Sequence, residues 1–199
     1  MANKNIPRGL IPVQRLDGSP YNGLANVYSV PASYGTALHI GTPLVATGAA
    51  DANGIPVVQI ATAAGGNYTI GPMVGIVDGG EQIVAVTRDM PIYHPASTNQ
   101  YILVADDPDL IFEAQEDGVG GAMAVATSGT KNVDLIAGAG SNVTGFSGWM
   151  LDSSTIATTN TLQCRILRCV QRVDNEPGNT LAKWLVKINL HSLRNLTGI

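Results

Sequence analysis

Residues 101–117 read YILVADDPDLIFEAQED, and they hold six of the chain's 15 acidic residues: Asp106, Asp107, Asp109, Glu113, Glu116 and Asp117. Apolar runs flank Asp-Asp-Pro-Asp on both sides. One reading is a carboxylate site, for acid–base chemistry or for oxygen ligation of Ca²⁺. The other is a polar corner between two strands. Pro108 fixes a turn and biases Asp107 towards extended backbone, and aspartates at turns cap local amides. The stretch lacks the DxDxDG frame of a calcium loop. It therefore reads as strand, corner, strand, and that reading makes the chain a β-protein.

The rest of the chain agrees. No window carries a helical stripe free of Gly, Pro or β-branched clusters. Strand signals recur instead at Ala25–Val30, Ala37–Ile40, Leu44–Thr47, Pro56–Thr62, Tyr68–Val77, Gln82–Val86, Met90–Tyr93, Tyr101–Ala105, Leu110–Gln115, Ala122–Thr127, Val143–Leu151, Leu162–Val173 and Leu181–His191. Asp17-Gly18, Asn22-Gly23, Asn53-Gly54, Asp78-Gly79-Gly80 and Pro177-Gly178-Asn179 punctuate them with residues that tolerate positive φ. The expected fold is all-β: a compact β-sandwich or barrel-like domain of many short strands over 21–199. It ends in a long hairpin at about 162–191, whose first strand breaks alternation near Arg168, by a bulge or by burial of both faces.

Residues 1–20 differ. MANKNIPRGLIPVQRLDGSP holds two Ile-Pro steps and three bases. It reads as an extended arm outside the core. Its apolar residues Ile6, Leu10, Ile11, Val13 and Leu16 are costly to leave in water. They are expected on another surface, such as a neighbouring subunit, with Arg8 and Arg15 facing acidic groups; the alternative is a frayed terminus.

Composition narrows the function. Charged residues are 13% of 199, with a net charge of −4, against about 25% charged in an ordinary domain. Such depletion marks surfaces that meet other protein. The acidic balance argues against nucleic acid. The start lacks an apolar leader core, and no run approaches a membrane span. Charge is also segregated: Asp78–Asp152 holds eleven acids and two bases, whereas 161–199 holds six bases and two acids. Opposed patches of this kind pair within or between subunits, and Arg165 and Arg172 are the expected partners of the acidic corner.

Chemistry is sparse. His39, His94 and His191 are scattered and read as surface or edge residues. Cys164 and Cys169, five apart, would face opposite ways on a regular strand and so stay unbridged. GFSGW at 145–149 lacks the nucleophile-elbow frame, and the glycine-rich GAGSNVTG is no phosphate loop. No catalytic residue, metal site or cofactor is expected.

NGLANVYSVPASYGTALHIGTPLVATGAADANGIPVVQIATAAGGNYTIGPMVGIV (22–77), STNQYILVADDPDLIFEAQED (97–117) and LQCRILRCVQRVDNEPGNTLAKWLVKINLH (162–191) resemble structural proteins of tailed-bacteriophage heads, and in particular capsid decoration, or cement, proteins. The resemblance implies a β-rich virion component made in the host cytoplasm and bound to the outer capsid. Its partners would be the major capsid protein and itself, as a homotrimer or a dimer. Candidate contacts are Ile6, Arg8, Leu10, Ile11, Val13 and Arg15 on the arm and Asp106, Asp107 and Asp109 at the corner. Two other readings stay open: a tail or receptor-binding component, and a glycan-active virion enzyme using the corner carboxylates.

Overall fold

The computed structural model describes residues 3–77 and 91–194. It is nearly all β, with 39% strand and 4% helix. The strands are β1 (Ile11–Arg15), β2 (Asn26–Val30), β3 (Pro43–Ala50), β4 (Pro56–Ile60), β5 (Gly71–Val77), β6 (Gln100–Val104), β7 (Leu110–Gln115), β8 (Asn132–Val133), β9 (Leu135–Ile136), β10 (Met150–Leu151), β11 (Cys164–Cys169) and β12 (Lys183–Ile188). The expected strand at Gln82–Val86 lies outside the described residues, as does Met90 of the one expected at Met90–Tyr93, whose described residues 91–93 are not strand.

Five strands close a barrel in the order β2-β4-β3-β5-β6, and β6 returns antiparallel onto β2. Closure removes the exposed edges that make open sheets prone to association. Tyr28, Val30, Leu38, Leu44, Val58, Ile70, Met73, Ile102 and Val104 fill it. A second, antiparallel sheet has the order β1-β7-β12-β11-β8. Alternation decides its faces. Phe112, Ala114, Trp184, Val186 and Ile188 enter the main core. Ile111 and Leu185 meet Val170 on the opposite face. Barrel residues Ile60 and Val74 pack against the main core, so the two substructures share a seam.

The bulge expected near Arg168 is present: register slips between Ile166 and Arg168, leaving Leu167 unpaired. It corrects the expectation for the cysteines. The extra residue resets alternation, so Cys164 and Cys169 both enter the main core, as free thiols.

The arm is also corrected. Residues 11–15 are extended, but they form an edge strand paired with β7, and Leu10 is 0% exposed in this chain's own core. An edge is where a strand tolerates Pro12, which cannot donate to the ladder. Gly9 admits the approach. Its φ is +73°, and a Cβ there would lie 2.1 Å from the Gly41 carbonyl oxygen, to which Leu10 N–H donates at 2.9 Å.

Three other strand expectations fail in detail. Ala122–Thr127 gives way to a short helix at Val125–Ser128; three alanines, which strands disfavour, offset the strand preference of Val125 and Thr127. Val143–Leu151 keeps only Met150–Leu151 as strand. Ala37–Ile40 contributes isolated bridges, Leu38 to His94 and Ile40 to Phe146.

The histidines are not surface residues: His39, His94 and His191 are all buried. His94 and His191 sit at bridges that tie loops to the barrel, His94 to Leu38 and His191 to Thr69. Their backbones hold them inside, and their rings bond locally: His94 Nε2 to the Thr98 carbonyl at 2.9 Å, and His191 Nδ1 as acceptor from Leu193 N–H at 3.2 Å.

Candidate functional site

β6 belongs to the barrel and β7 to the sheet, so Ala105–Asp109 is the crossing between them. Its three aspartates face three different partners. Asp106, 7% exposed, accepts two hydrogen bonds from Asn26 Nδ2, both at 2.9 Å, and one from Tyr28 O–H at 2.8 Å. It pins the start of β2 to the exit of β6. Burial pushes the Tyr28 phenol up, and the Asp106 carboxylate adds to that rise.

Asp107 accepts from Asp109 N–H at 2.9 Å, a turn capped by its own aspartate, and meets Arg15 at 2.8 Å. Asp109 pairs with Arg194 through its carboxylate, and its carbonyl accepts from Leu16 N–H at 2.8 Å. The partners are thus Arg15 and Arg194, not Arg165 or Arg172. Arg172 is engaged elsewhere: it grips Glu113 with two bonds, at 2.9 and 3.0 Å, and reaches Asp174. Arg165 Nε donates to Asn132 Oδ1 at 3.0 Å. Sequence distance hid these pairings, because β1 and the turn after β12 reach the corner only through the fold.

The N-terminal candidates split. Leu10 is core, and Val13 packs on the Ile111–Val170–Leu185 cluster. Ile11 pairs with Glu113. Ile6 is exposed, with its N–H on Gln115 Oε1 at 3.1 Å. The Arg8 guanidinium lies 4.9 Å from the Phe146 ring centroid, a cation–π contact. Beside this segment runs a groove of about 460 Å³ that includes Ile6, Arg8, Ile11, Val13, Glu113 and Arg172. A second, of about 680 Å³, continues past Val173, Pro177 and Leu181. Neither groove is lined by Asp106, Asp107 or Asp109, but a shallower third, of about 350 Å³, is lined by Asp109 with Arg15, Leu16 and Asp17.

Among the described residues, no group of three or more His, Cys, Asp or Glu is arranged to hold a metal ion. Of the six acids in 101–117, the most deeply buried is Glu116, to which sequence reading assigned no separate role. It is fully buried, accepts from Met123 N–H at 3.0 Å and Trp184 Nε1–H at 3.3 Å, and leaves Oε1 unpartnered. Burial raises its pKa. It closes the core beneath the loop after β7 and lines none of the three grooves.

No family model, curated protein or solved structure matches the chain.

A further feature emerges only when charge is placed on the fold. Across residues 18–77 and 91–105, Asp51 is the single Asp, Glu, Lys or Arg. Those residues include all five barrel strands. Asp51 is itself engaged, accepting from Asn53 N–H and Ile55 N–H, each at 2.9 Å, and from Tyr101 O–H at 2.6 Å. Among the described residues, the ion pairs Arg15–Asp107, Arg172–Glu113, Arg172–Asp174, Lys183–Asp174 and Arg194–Asp109 lie on the sheet half.

Proposed function

We propose that this protein is a virion structural component that decorates a tailed-phage capsid and stabilises it by bridging neighbouring coat-protein subunits. The observation that carries the reading is the state of the acidic corner. Asp106, Asp107 and Asp109 are each spent on an internal partner, at the crossing between barrel and sheet. Such carboxylates brace a fold rather than turn over a substrate. What the molecule offers outwardly is surface poor in charge, as protein interfaces are. The resemblance of 22–77, 97–117 and 162–191 to head decoration proteins points the same way.

Bracing suits the task. A shell under internal pressure needs a rigid clamp whose modest contacts are repeated many times. Multivalency turns interfaces of about 1,600 Å² into a firm lattice. Self-association belongs to the proposal, as a trimer in first place, because a trimer offers several coat-binding faces at once.

The test uses capsids lacking the protein. The purified chain should co-sediment with them to a fixed copy number, read from a gel of washed particles, and should raise the temperature at which they release their contents. No binding at saturating protein would overturn the reading. Labelled chain found only at the tail would move it to the tail component. Turnover of a glycan panel, lost in the triple variant Asp106→Asn, Asp107→Asn, Asp109→Asn, would replace it with an enzyme.

A further inference from the structure

We propose that Asn22 is a site of spontaneous self-modification: the Gly23 backbone nitrogen attacks the asparagine side chain and a carboxylate is left in its place. The fold shields the same dipeptide at Asn53-Gly54. The chemistry needs no partner and is independent of the capsid role.

Asn22-Gly23 and Asn53-Gly54 are the chain's two Asn-Gly steps. Asparagine is among the thermolabile residues. Before glycine it is most exposed to attack, because the missing Cβ lets the following nitrogen approach the side chain. By sequence the two steps should age alike, and open space does not separate them either. Gly23 has φ +86° and Gly54 φ +80°, and a Cβ built on either would meet nothing within 4 Å.

Hydrogen bonding separates them. Asn22, Gly23 and Leu24 are exposed. Among the described residues, neither the Asn22 side-chain amide nor the Gly23 N–H has a hydrogen-bond partner. The loop is anchored at its two ends, by Tyr21 N–H on the Val13 carbonyl at 3.1 Å and by Asn26 Nδ2 on Asp106 at 2.9 Å. At the other step both reacting groups are held. Asn53 Nδ2 donates to the Tyr101 hydroxyl at 2.9 Å, and Gly54 N–H donates to the Asp51 carbonyl at 3.1 Å. Asp51 Oδ1 accepts from Asn53 N–H and Ile55 N–H as well, each at 2.9 Å, so the turn must open before it reacts.

In the reaction, Gly23 N bonds to Asn22 Cγ and the Cγ–Nδ2 bond breaks. Ammonia departs, its third hydrogen balanced by the proton lost from Gly23 N–H, and a cyclic imide is left. Solvent water then opens the ring. Cleavage between the nitrogen and Cγ gives aspartate. Cleavage between the nitrogen and the main-chain carbonyl carbon gives isoaspartate, whose backbone runs through Cγ. Nothing is oxidised or reduced. Either product puts a negative charge into residues 18–50, which hold no Asp, Glu, Lys or Arg. Isoaspartate also adds a methylene to the main chain, which an exposed loop between two anchors can absorb, so the fold should persist.

The experiment ages the folded chain in slightly alkaline buffer, and a second sample in strong urea. Both are digested and mapped by mass spectrometry, with fragmentation that separates aspartate from isoaspartate. In the folded chain position 22 should convert roughly tenfold or more faster than position 53, because the bonds at 53 must break first. In urea the two rates should converge. Tyr101→Phe, checked for native circular dichroism, removes the acceptor of the Asn53 side chain and should speed conversion at 53. Asn22→Gln should abolish conversion at 22 and leave melting unchanged.

Equal rates at 22 and 53 in the folded chain would overturn the inference. So would an Asn22 that stays intact while the urea-unfolded chain converts. Aspartate without isoaspartate would overturn the attack by Gly23, and a position 53 indifferent to Tyr101→Phe would overturn the shielding. Each of these outcomes leaves the capsid role standing.

Discussion

Asp106 and Asp107 are neighbours in sequence but differ in what holds them. Asp106 is buried under three donated hydrogen bonds. Asp106→Ala should cost about 2–4 kcal/mol in urea unfolding, since it leaves Asn26 and Tyr28 without an acceptor. Asp107→Asn and Asp109→Asn break pairs with exposed arginines and should cost about 0–1 kcal/mol each. A reversed order would mean that the corner is held by its ion pairs. Acid acts through His191. Burial lowers its pKa from 6.5 to about 4; Asp106 and Asp107 pull it up, Arg194 pushes it down, and burial wins. Between those values the unfolded chain takes up a proton that the folded chain refuses. The stability that His191 contributes is therefore complete above pH 6.5 and is lost as pH drops towards 4, whereas Glu116, with its raised pKa, acts in the opposite sense. Urea midpoints measured across that window should decline, and His191→Gln should flatten the decline. His94 shifts in the same direction and for the same first cause.

At the scale of elements, β1 and the β11 bulge carry the consequences. Removing residues 2–16 takes away Leu10 and the strand that covers β7. The truncated chain should melt well below the full one, and Leu10→Ala alone should cost about 2–5 kcal/mol. Unchanged melting would return the segment to the status of a detachable arm. The bulge sets the cysteines. Both thiols are buried and their pKa values are raised, chiefly by burial, so neither should react with a thiol reagent while the chain is folded. Deleting Leu167 removes the extra residue and leaves Cys169 an even step from Cys164, still opposite Trp184 on the core face. Both thiols should then stay silent under native conditions. A thiol that reacts in the folded deletion variant would mean that Leu167 is not the residue that sets the register.

For the whole molecule, the seam between barrel and sheet matters most. Ile60 and Val74 pack from the barrel onto the sheet's core, and Asp106 bonds across the crossing. Unfolding at neutral pH should therefore be a single transition by both tryptophan fluorescence and far-ultraviolet dichroism. Trp149 and Trp184 lie in the sheet's core, so a separately melting barrel would show as a dichroism change without a fluorescence change. In solution, light scattering should give a mass above the 20.7 kDa chain; a clean monomer both free and on particles would remove self-association from the proposed role.

Much of this could be read along the chain. Strand periodicity needs only two residues of memory, so β2, β6, β7 and β12 were legible, as were the Asp-Asp-Pro-Asp corner and the break near Arg168. The charge gap from 18 to 77 is plain in the residues, but it becomes a surface only when β2 to β6 close into a barrel. Non-local partners were illegible. Arg15 and Arg194 meet Asp107 and Asp109 from opposite ends of the chain, and Gly9 meets Gly41 by backbone approach, which no side-chain pattern announces. The buried histidines were missed for the same reason: a residue's burial depends on what the rest of the chain lays over it. Local sequence specifies local backbone preference. Who pairs with whom is settled by packing, where each partner's position rests on all the others.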